Sequence, residues 1–451
     1  MPTPRETDAA PARPPAVCLV SLGCAKNQVD SERLAAALVQ EGFLLAADPA
    51  DADLALVNTC AFLESARKES RQTLAGLQEL KKRSRLRAVV AAGCYPARSG
   101  RVPGADLAVP FSGYRHLASL CRKALSLADR PASAEPPEVM GSAPRLRFGL
   151  KASAYLKISE GCSNRCAYCA IPAMRGAMRS RPLEAILEEA AELVADGARE
   201  LVLVAQDTAA YGRDLPRGRP GLAELIRRLL EVPGFRWLRL MYAHPAHLGA
   251  DVIELLGERR VAKYLDLPIQ HADDGVLAAM NRPYTADDVQ RLVDRVRERV
   301  PGIALRTTCL VGFPGETRQA FRRLLGFVAE LGFDHLGAFA YSRERGTPAA
   351  RARRQVAERT KQRRLAALMR VQKLLADMRG QERVGERLTV LVEDRGGTGP
   401  AVGRSQYQAP EVDGKVMITG PHAGLAALVP GQFHRVIVTG ARSYNLVARL
   451  I

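Results

Sequence analysis

Long apolar runs are missing from this sequence. No stretch of the 451 residues approaches the ~20 apolar positions that span a bilayer, so no membrane partner is expected. The first fifteen residues are polar and proline-rich and hold no apolar signal segment, which argues against secretion. They read as a disordered tail, 1–15. Acidic residues are in deficit, 48 against 66 Lys and Arg, for a net charge of +18. That excess points to an acidic partner, nucleic acid or a ribonucleoprotein, and says nothing about fold. Part of it is compositional, since Ala and Arg are abundant throughout. With 47 % apolar residues the chain has material for real cores, and its length suits two to four domains.

Cysteine is present: nine in a long chain without a leader segment. A reducing, cytoplasmic setting is therefore expected, where clustered thiols are read as ligands or catalysts rather than disulfides. In the first region three apolar runs, 17–22, 54–57 and 88–92, read as buried strands. They alternate with helical patterns at 31–40 and 63–80, which predicts a small parallel sheet over 16–130. Each run leads into a cysteine: Leu22-Gly23-Cys24, Asn58-Thr59-Cys60 and Gly93-Cys94. In a parallel sheet the strand C-termini share one edge, so the three thiols can converge there. Three thiolates can hold three irons of a 4Fe-4S cluster and leave one iron open. Buried strand-end cysteines or a zinc site are the other readings of the trio, although structural zinc usually takes four protein ligands. Cys18, inside a strand, and Cys121, in a helical pattern, read as core.

The central region has the sharper signal. A strand at 155–158 runs into Gly161-Cys162-Ser163-Asn164-Arg165-Cys166-Ala167-Tyr168-Cys169, a Cys-x3-Cys-x2-Cys loop. Such a loop can wrap three thiolates around one cubane and again leave an iron unligated. There is no histidine within it to complete a zinc site, and no fourth cysteine follows closely. The spacing resembles the cluster loop of the radical S-adenosylmethionine (SAM) superfamily. Further strands at 200–205, 237–242, 264–268, 305–311 and 335–340 give about six strand–helix units, hence a partial (β/α) barrel with its site at the strand C-termini. The resemblance implies that segments at Gln206, Asp207 and Thr208, and at Gly312, Gly315 and Glu316, flank the cofactor. Arg175, Arg179 and Arg181 are read as meeting a carboxylate or substrate, or as forming a solvated basic face. His244, His247 and His271 read as structural, and Cys309 as core.

From 347 to 378 the pattern is helical, and its 351–364 portion is strongly basic. Then the period changes to short strands at 388–393, 415–419, 435–439 and 445–451, with Gly-rich turns at Gly396-Gly397 and Asp413-Gly414. This small all-β barrel resembles the TRAM domain, which implies RNA contact. Few aromatics interleave its basic residues, so base stacking is not supported.

The three modules together resemble the methylthiotransferase family of radical SAM enzymes. The resemblance implies an N-terminal methylthiotransferase domain (16–130), a linker (131–149), a radical SAM core with its C-terminal helix (150–379) and a TRAM barrel (380–451). It implies two 4Fe-4S clusters, one on Cys24, Cys60 and Cys94 and one on Cys162, Cys166 and Cys169, with SAM as cosubstrate. Residues 157–162, 205–208 and above all 408–414 (Gln-Ala-Pro-Glu-Val-Asp-Gly) resemble the branch acting on an aspartate of small-subunit ribosomal protein number twelve. That branch yields 3-methylthioaspartate. An unactivated aliphatic carbon offers no acidic hydrogen or leaving group, so its C–S bond calls for cofactor-derived radical chemistry. An electron donor such as flavodoxin or ferredoxin is implied, and nothing calls for an obligate oligomer, so a monomer is expected. Two other readings stand beside this one: a tRNA adenosine methylthiotransferase of the same family, and a non-catalytic iron–sulfur RNA-binding protein.

Overall fold

Short runs of Val, Leu and Ala separated by helices build the first of two units, residues 1–147; the second covers 148–451. The computed structural model describes residues 13–127, 144–149, 152–216, 219–396 and 399–451. Most of the expected tail (1–15), most of the expected linker (131–149) and Gly397 of the Gly396-Gly397 turn lie outside the described residues.

In the first unit the order is β1 (Ala16–Ser21), α1 (Ala25–Gln40), β2 (Leu44–Leu45), β3 (Leu54–Thr59), α2 (Glu64–Lys81), β4 (Ala88–Gly93), α3 (Cys94–Ser99), β5 (Leu107–Val109) and α4 (Leu117–Ala124). The sheet order is β2-β1-β3-β4-β5, parallel throughout. Every residue of β3 and β4 is buried, as expected of strands covered on both faces. Sequence reading found β1, β3 and β4; β2 and β5 span only two and three residues and form no readable run. Helix α1 begins six residues earlier than expected. Its first turns carry Lys26, Asn27, Asp30, Ser31, Glu32 and Arg33, all buried, so no apolar stripe marks them.

The second unit starts with β6 (Ser153–Lys157), then a two-stranded ribbon of β7 (Ser159–Glu160) and β8 (Arg179–Ser180) enclosing the cysteine loop and α5 (Ile171–Arg175). There follow α6 (Leu183–Ala195), β9 (Glu200–Val204), α7 (Leu222–Glu231), β10 (Trp237–Leu240), α8 (Ala250–Leu255), β11 (Val261–Asp266), α9 (Asp274–Ala279), α10 (Ala286–Arg299), β12 (Ala304–Val311), α11 (Arg318–Leu331), β13 (His335–Ala340) and α12 (Glu358–Glu382). The six strands lie in the order β13-β12-β11-β10-β9-β6, all parallel, as a partial barrel requires. Helix α12 starts later than expected, because Pro348 opens a 3-10 turn, Pro348–Arg351, and residues 352–357 are not helical.

Side chains alternate across these strands. One set (Leu156, Leu201, Leu203, Leu238, Leu265, Leu305) packs in the main apolar core. The alternate set is polar in the lower half of the sheet: Ser153, Tyr155, Glu200, Arg239, Tyr264, Arg306 and His335. Its partners come from the C-terminal barrel, β14 (Arg387–Asp394), β15 (Ala401–Arg404), β16 (Val416–Thr419), β17 (Phe433–Arg442) and β18 (Asn445–Leu450), closed in the order β14-β15-β16-β18-β17. Sequence reading missed β15, a four-residue strand (Ala-Val-Gly-Arg). Its Gly403 is required because a Cβ there would lie 2.5 Å from the Leu391 carbonyl oxygen.

The end of β15 and the segment after it are wedged against the polar face of the sheet. Arg404 pairs with Glu200 (2.6 Å) and Glu393 (2.6 Å), while Glu200 also accepts from Arg239 (2.7 Å) and Ser153 (2.7 Å). Asp413 accepts from Tyr264 (2.7 Å), Arg306 (2.7 Å) and its own loop at Ala409 N (2.9 Å). Tyr155 donates to Glu411 (2.9 Å), and His335 Nε2 meets the Tyr407 carbonyl oxygen (2.8 Å).

Candidate functional site

In the first unit the three cysteines stand at the C-terminal ends of adjacent parallel strands, as read from the sequence. Cys24 caps α1 just past β1, Cys60 follows β3, and Cys94 opens α3 directly after β4. Asn27, fully buried on α1, ties these ends together. It donates to the carbonyls of Leu22 (2.9 Å) and Thr59 (3.1 Å), and Cys94 Sγ lies 3.8 Å from its Oδ1. Gly23, at φ +97°, has no room for a side chain: a Cβ would fall 3.1 Å from Cys60 Sγ. The turn carrying Cys24 thus rests against Cys60. Sequence reading missed Asn27, since a lone asparagine three residues after a cysteine carries no signal.

In the second unit the loop from Cys162 to Cys169 leaves the β7–β8 ribbon. Gly161, at φ +73°, makes the turn; a Cβ there would sit 2.2 Å from the Ala177 carbonyl oxygen. Changing Gly161 to Ala is expected to cost on the order of 1–3 kcal/mol of local strain and to displace Cys162. Iron bound per chain after anaerobic reconstitution reads the effect, and an unchanged iron content would refute it. Glu160 braces the loop from below through Lys157 (2.9 Å) and Arg175 (2.8 Å). Burial pushes its carboxyl up, but those two cations outweigh burial and hold it at about 2. Arg181 is likewise spent inside the fold, on Glu189 (2.5 Å) and the Lys157 carbonyl (2.7 Å). Arg175 and Arg181 are therefore buried structural cations rather than a solvated basic face; Arg179 alone of the three is exposed.

The loop's chemistry fits an iron–sulfur cluster. Burial raises the Cys162 thiol to about 11 and the Cys169 thiol to about 12, with neighbouring cysteines adding to each. The thiols are thus close enough to oppose one another's ionisation and need a cationic centre to hold them as thiolates. Two N–H groups already point at sulfur: Ile171 N at 3.4 Å from Cys169 Sγ and Arg282 Nη1 at 3.4 Å from Cys166 Sγ. By contrast, Cys18, Cys121 and Cys309 are buried thiols; Cys121 and Cys309 sit in apolar cores. Burial alone pushes Cys121 up to about 12, with no neighbouring cysteine adding to the shift as at Cys162 and Cys169.

Beside the loop lies a cavity of about 320 Å³, lined by Cys162, Asn164, Met178, Asp207, Arg213 and His247 among others. Asp207, past the end of β9, accepts from Asn164 of the cysteine loop (2.7 Å) and meets His247 Nδ1 (2.7 Å). Burial raises its carboxyl, but the His247 hydrogen bond and both nearby histidines keep it below its ordinary value. His244 stacks on His247 at 4.6 Å, and its Nδ1 accepts from Ala246 N (3.2 Å). Burial and the charge of Arg282 drive His244 down to about 3. Asp207 and His244 Nδ1 already have protein partners, so the Asp207–His244–His247 cluster works as a hydrogen-bonded brace. Gln206 is half-buried at the same strand end.

At the end of β12, Gly312 and Gly315 adopt φ of +74° and +88°. A Cβ on Gly312 would strike Lys361, whereas Gly315 borders open space. Glu316 is turned inward: it accepts from the backbone N–H groups of Gly312 and Phe313 and pairs with Arg364 (3.1 Å). Its carboxylate shapes the turn.

A six-stranded parallel partial barrel with a three-cysteine loop at its strand ends, joined to a small closed β-barrel, defines a radical SAM enzyme with a TRAM domain. Matches to known families agree: Radical SAM superfamily over residues 156–328, the uncharacterized protein family UPF0004 over 16–105 and the TRAM domain over 384–451. The ribosomal protein uS12 methylthiotransferase RimO of Geobacter sulfurreducens is 42 % identical over 96 % of this chain and 98 % of its own. That of Syntrophus aciditrophicus is 42 % identical over 97 % and 99 %. The chain belongs to the RimO family, radical SAM transferases that use SAM and 4Fe-4S clusters. Among solved structures, the radical SAM methyltransferase TsrM from Kitasatospora setae, with cobalamin and a 4Fe-4S cluster bound, covers 74 % of this chain and 77 % of its own. Its TM-score is 0.54 at 19 % identity, a likeness of fold.

Proposed function

We propose that this protein inserts sulfur and a methyl group at the β-carbon of an aspartate in small-subunit ribosomal protein uS12, giving 3-methylthioaspartate. The near full-length identity to uS12 methylthiotransferases carries this reading. Cys162, Cys166 and Cys169 would hold the radical SAM cluster, and Cys24, Cys60 and Cys94 the second cluster. Bound there, the clusters and SAM supply the radical chemistry that an unactivated carbon demands. The protein's own residues bind and orient. Gln206 and Asp207 flank SAM, with Asp207 held in place by Asn164 and His247. Gly312 and Gly315 bring backbone close to the cofactor, and Glu316 fixes the turn that does so.

The TRAM barrel and the +18 charge support contact with ribosomal RNA during substrate docking. A cytoplasmic monomer reduced by flavodoxin or ferredoxin completes the proposal. Among the described residues no helix is long and apolar enough to cross a membrane. Mass spectrometry of uS12 and of tRNA from a strain lacking the gene tests the substrate. The expected result is uS12 lighter by one S and one CH₂ with tRNA unchanged; a missing methylthio group on tRNA adenosine, with uS12 unchanged, refutes it. Changing Cys162 to Ala is expected to abolish 5′-deoxyadenosine formation from SAM by the reduced, reconstituted protein. Persistent cleavage would refute the ligand assignment.

A further inference from the structure

Residues 280–282 grip residues 165–167 of the cysteine loop one after another. The Met280 carbonyl accepts from Ala167 N (2.9 Å), Asn281 Nδ2 donates to the Arg165 carbonyl (2.7 Å), and Arg282 Nη1 donates to Cys166 Sγ (3.4 Å). Asn281 adopts φ +58°, a left-handed conformation that asparagine tolerates better than most residues. This strap lies outside the cysteine motif.

Arg282 is the unusual member. It is buried, at 8 % exposure, yet among the described residues no carboxylate lies within ion-pair distance of it. Its other two nitrogens are each held: Nε bonds Tyr284 Oη (2.6 Å) and Nη2 bonds the Pro268 carbonyl (2.7 Å). Tyr284 Oη is itself pinned to the Ile269 carbonyl (3.1 Å). The guanidinium therefore has one orientation, and it faces a cysteine sulfur. A buried cation without a counter-anion is costly and is normally paired. An arginine cannot escape by losing its proton.

We propose that Arg282 is a positioning residue that sets the reduction potential of the cluster held by Cys162, Cys166 and Cys169, a role resting on that ligand assignment. Three thiolates make such a cluster anionic, and taking up one electron makes it more so. A fixed positive charge with an N–H aimed at a ligating sulfur stabilises the reduced form more than the oxidised form. It thereby raises the potential into the range a donor can reach, offsetting the opposite effect of burial.

The test uses the full chain with Cys24, Cys60 and Cys94 changed to Ala, so that one cluster is observed, reconstituted anaerobically and titrated with dithionite under EPR. About four irons per chain support the ligand assignment; no bound cluster overturns that assignment and not the role of Arg282. In the loaded protein, Arg282→Gln is expected to lower the reduced-to-oxidised ratio at least tenfold at the parent's midpoint, about 59 mV for one electron. Arg282→Lys, which keeps the charge, is expected to recover part of that shift. A loaded Arg282→Gln protein with an unshifted midpoint overturns the proposal. A second measurement needs no loaded Gln variant. With ¹⁵N-guanidino arginine incorporated and no SAM added, pulsed EPR of the reduced parent cluster is expected to show a weakly coupled ¹⁵N. Its absence also overturns the proposal.

Discussion

Replacing Cys60 with alanine is expected to leave SAM cleavage running and to stop methylthiolation. The thiol stands just past a strand whose every residue is buried, in a unit with its own apolar core built on Val17, Leu34, Leu56 and Val90. Removing one sulfur from the strand's end leaves that core intact, so the variant should fold. The Cys162–Cys169 loop has its own supports in Glu160, the Met280–Arg282 strap and Asp207. Iron per chain should fall by one cluster's worth, and 5′-deoxyadenosine should still form. Methylthiolated product should drop by more than the roughly 10–100-fold that loss of an outer-shell partner costs at a metal site. Intact methylthiolation in this variant would sink the assignment of Cys24, Cys60 and Cys94 as cluster ligands.

The largest stability effect is expected at Glu200. Its carboxylate is fully buried between Arg404 and Arg239, and both cations are buried too. Burial alone would push the carboxyl up, but the two arginines outweigh it and hold it at about 2. Glu200→Gln keeps the shape and removes the charge. It leaves Arg239 without its anion and Arg404 with Glu393 alone, a loss of about 3–5 kcal/mol for a broken buried pair. The exposed Glu64, which pairs with Arg67 and Arg71, is the control; its removal should cost about 0–1 kcal/mol. Urea denaturation of both variants reads the difference, and a Glu200→Gln loss under about 1 kcal/mol would refute the argument. The pH dependence has a definite sign. Because the folded-state value is depressed, the Glu200 contribution is complete above its ordinary value of 4.5 and is lost as pH falls toward 2.

What the sequence made legible follows from how each feature is encoded. Strands buried on both faces, such as 54–59 and 200–204, announce themselves as unbroken apolar runs, and the cysteines at their ends stand at fixed intervals. The Cys-x3-Cys-x2-Cys loop is local, so its spacing alone narrows the chemistry. Partners distant in sequence left no trace. Asn27 reaches Thr59 across 32 positions, His247 reaches Asp207 across 40 and Arg282 reaches Cys166 across 116, and none sits in a pattern. For Arg175 and Arg181 the choice between a carboxylate, substrate and solvent stayed open because their carboxylate partners, Glu160 and Glu189, are set by packing rather than by helical spacing. The first turns of α1 were missed for the opposite reason, since a buried polar face breaks the periodicity that reveals a helix.

The Gln408–Gly414 segment stood out in the sequence as a family signature, and the fold supplies a physical reason. Asp413 and Glu411 satisfy Tyr264, Arg306 and Tyr155 on strands far apart in the chain. A shortened protein ending before residue 384 would expose a row of arginines, tyrosines and a glutamate evolved for dry surroundings. The catalytic half and its appendage are therefore not interchangeable parts. Exchanging this appendage for a homologous one would succeed only if the donor brought the same Arg404–Gly414 key for the lock that Tyr155, Glu200, Arg239, Tyr264 and Arg306 form.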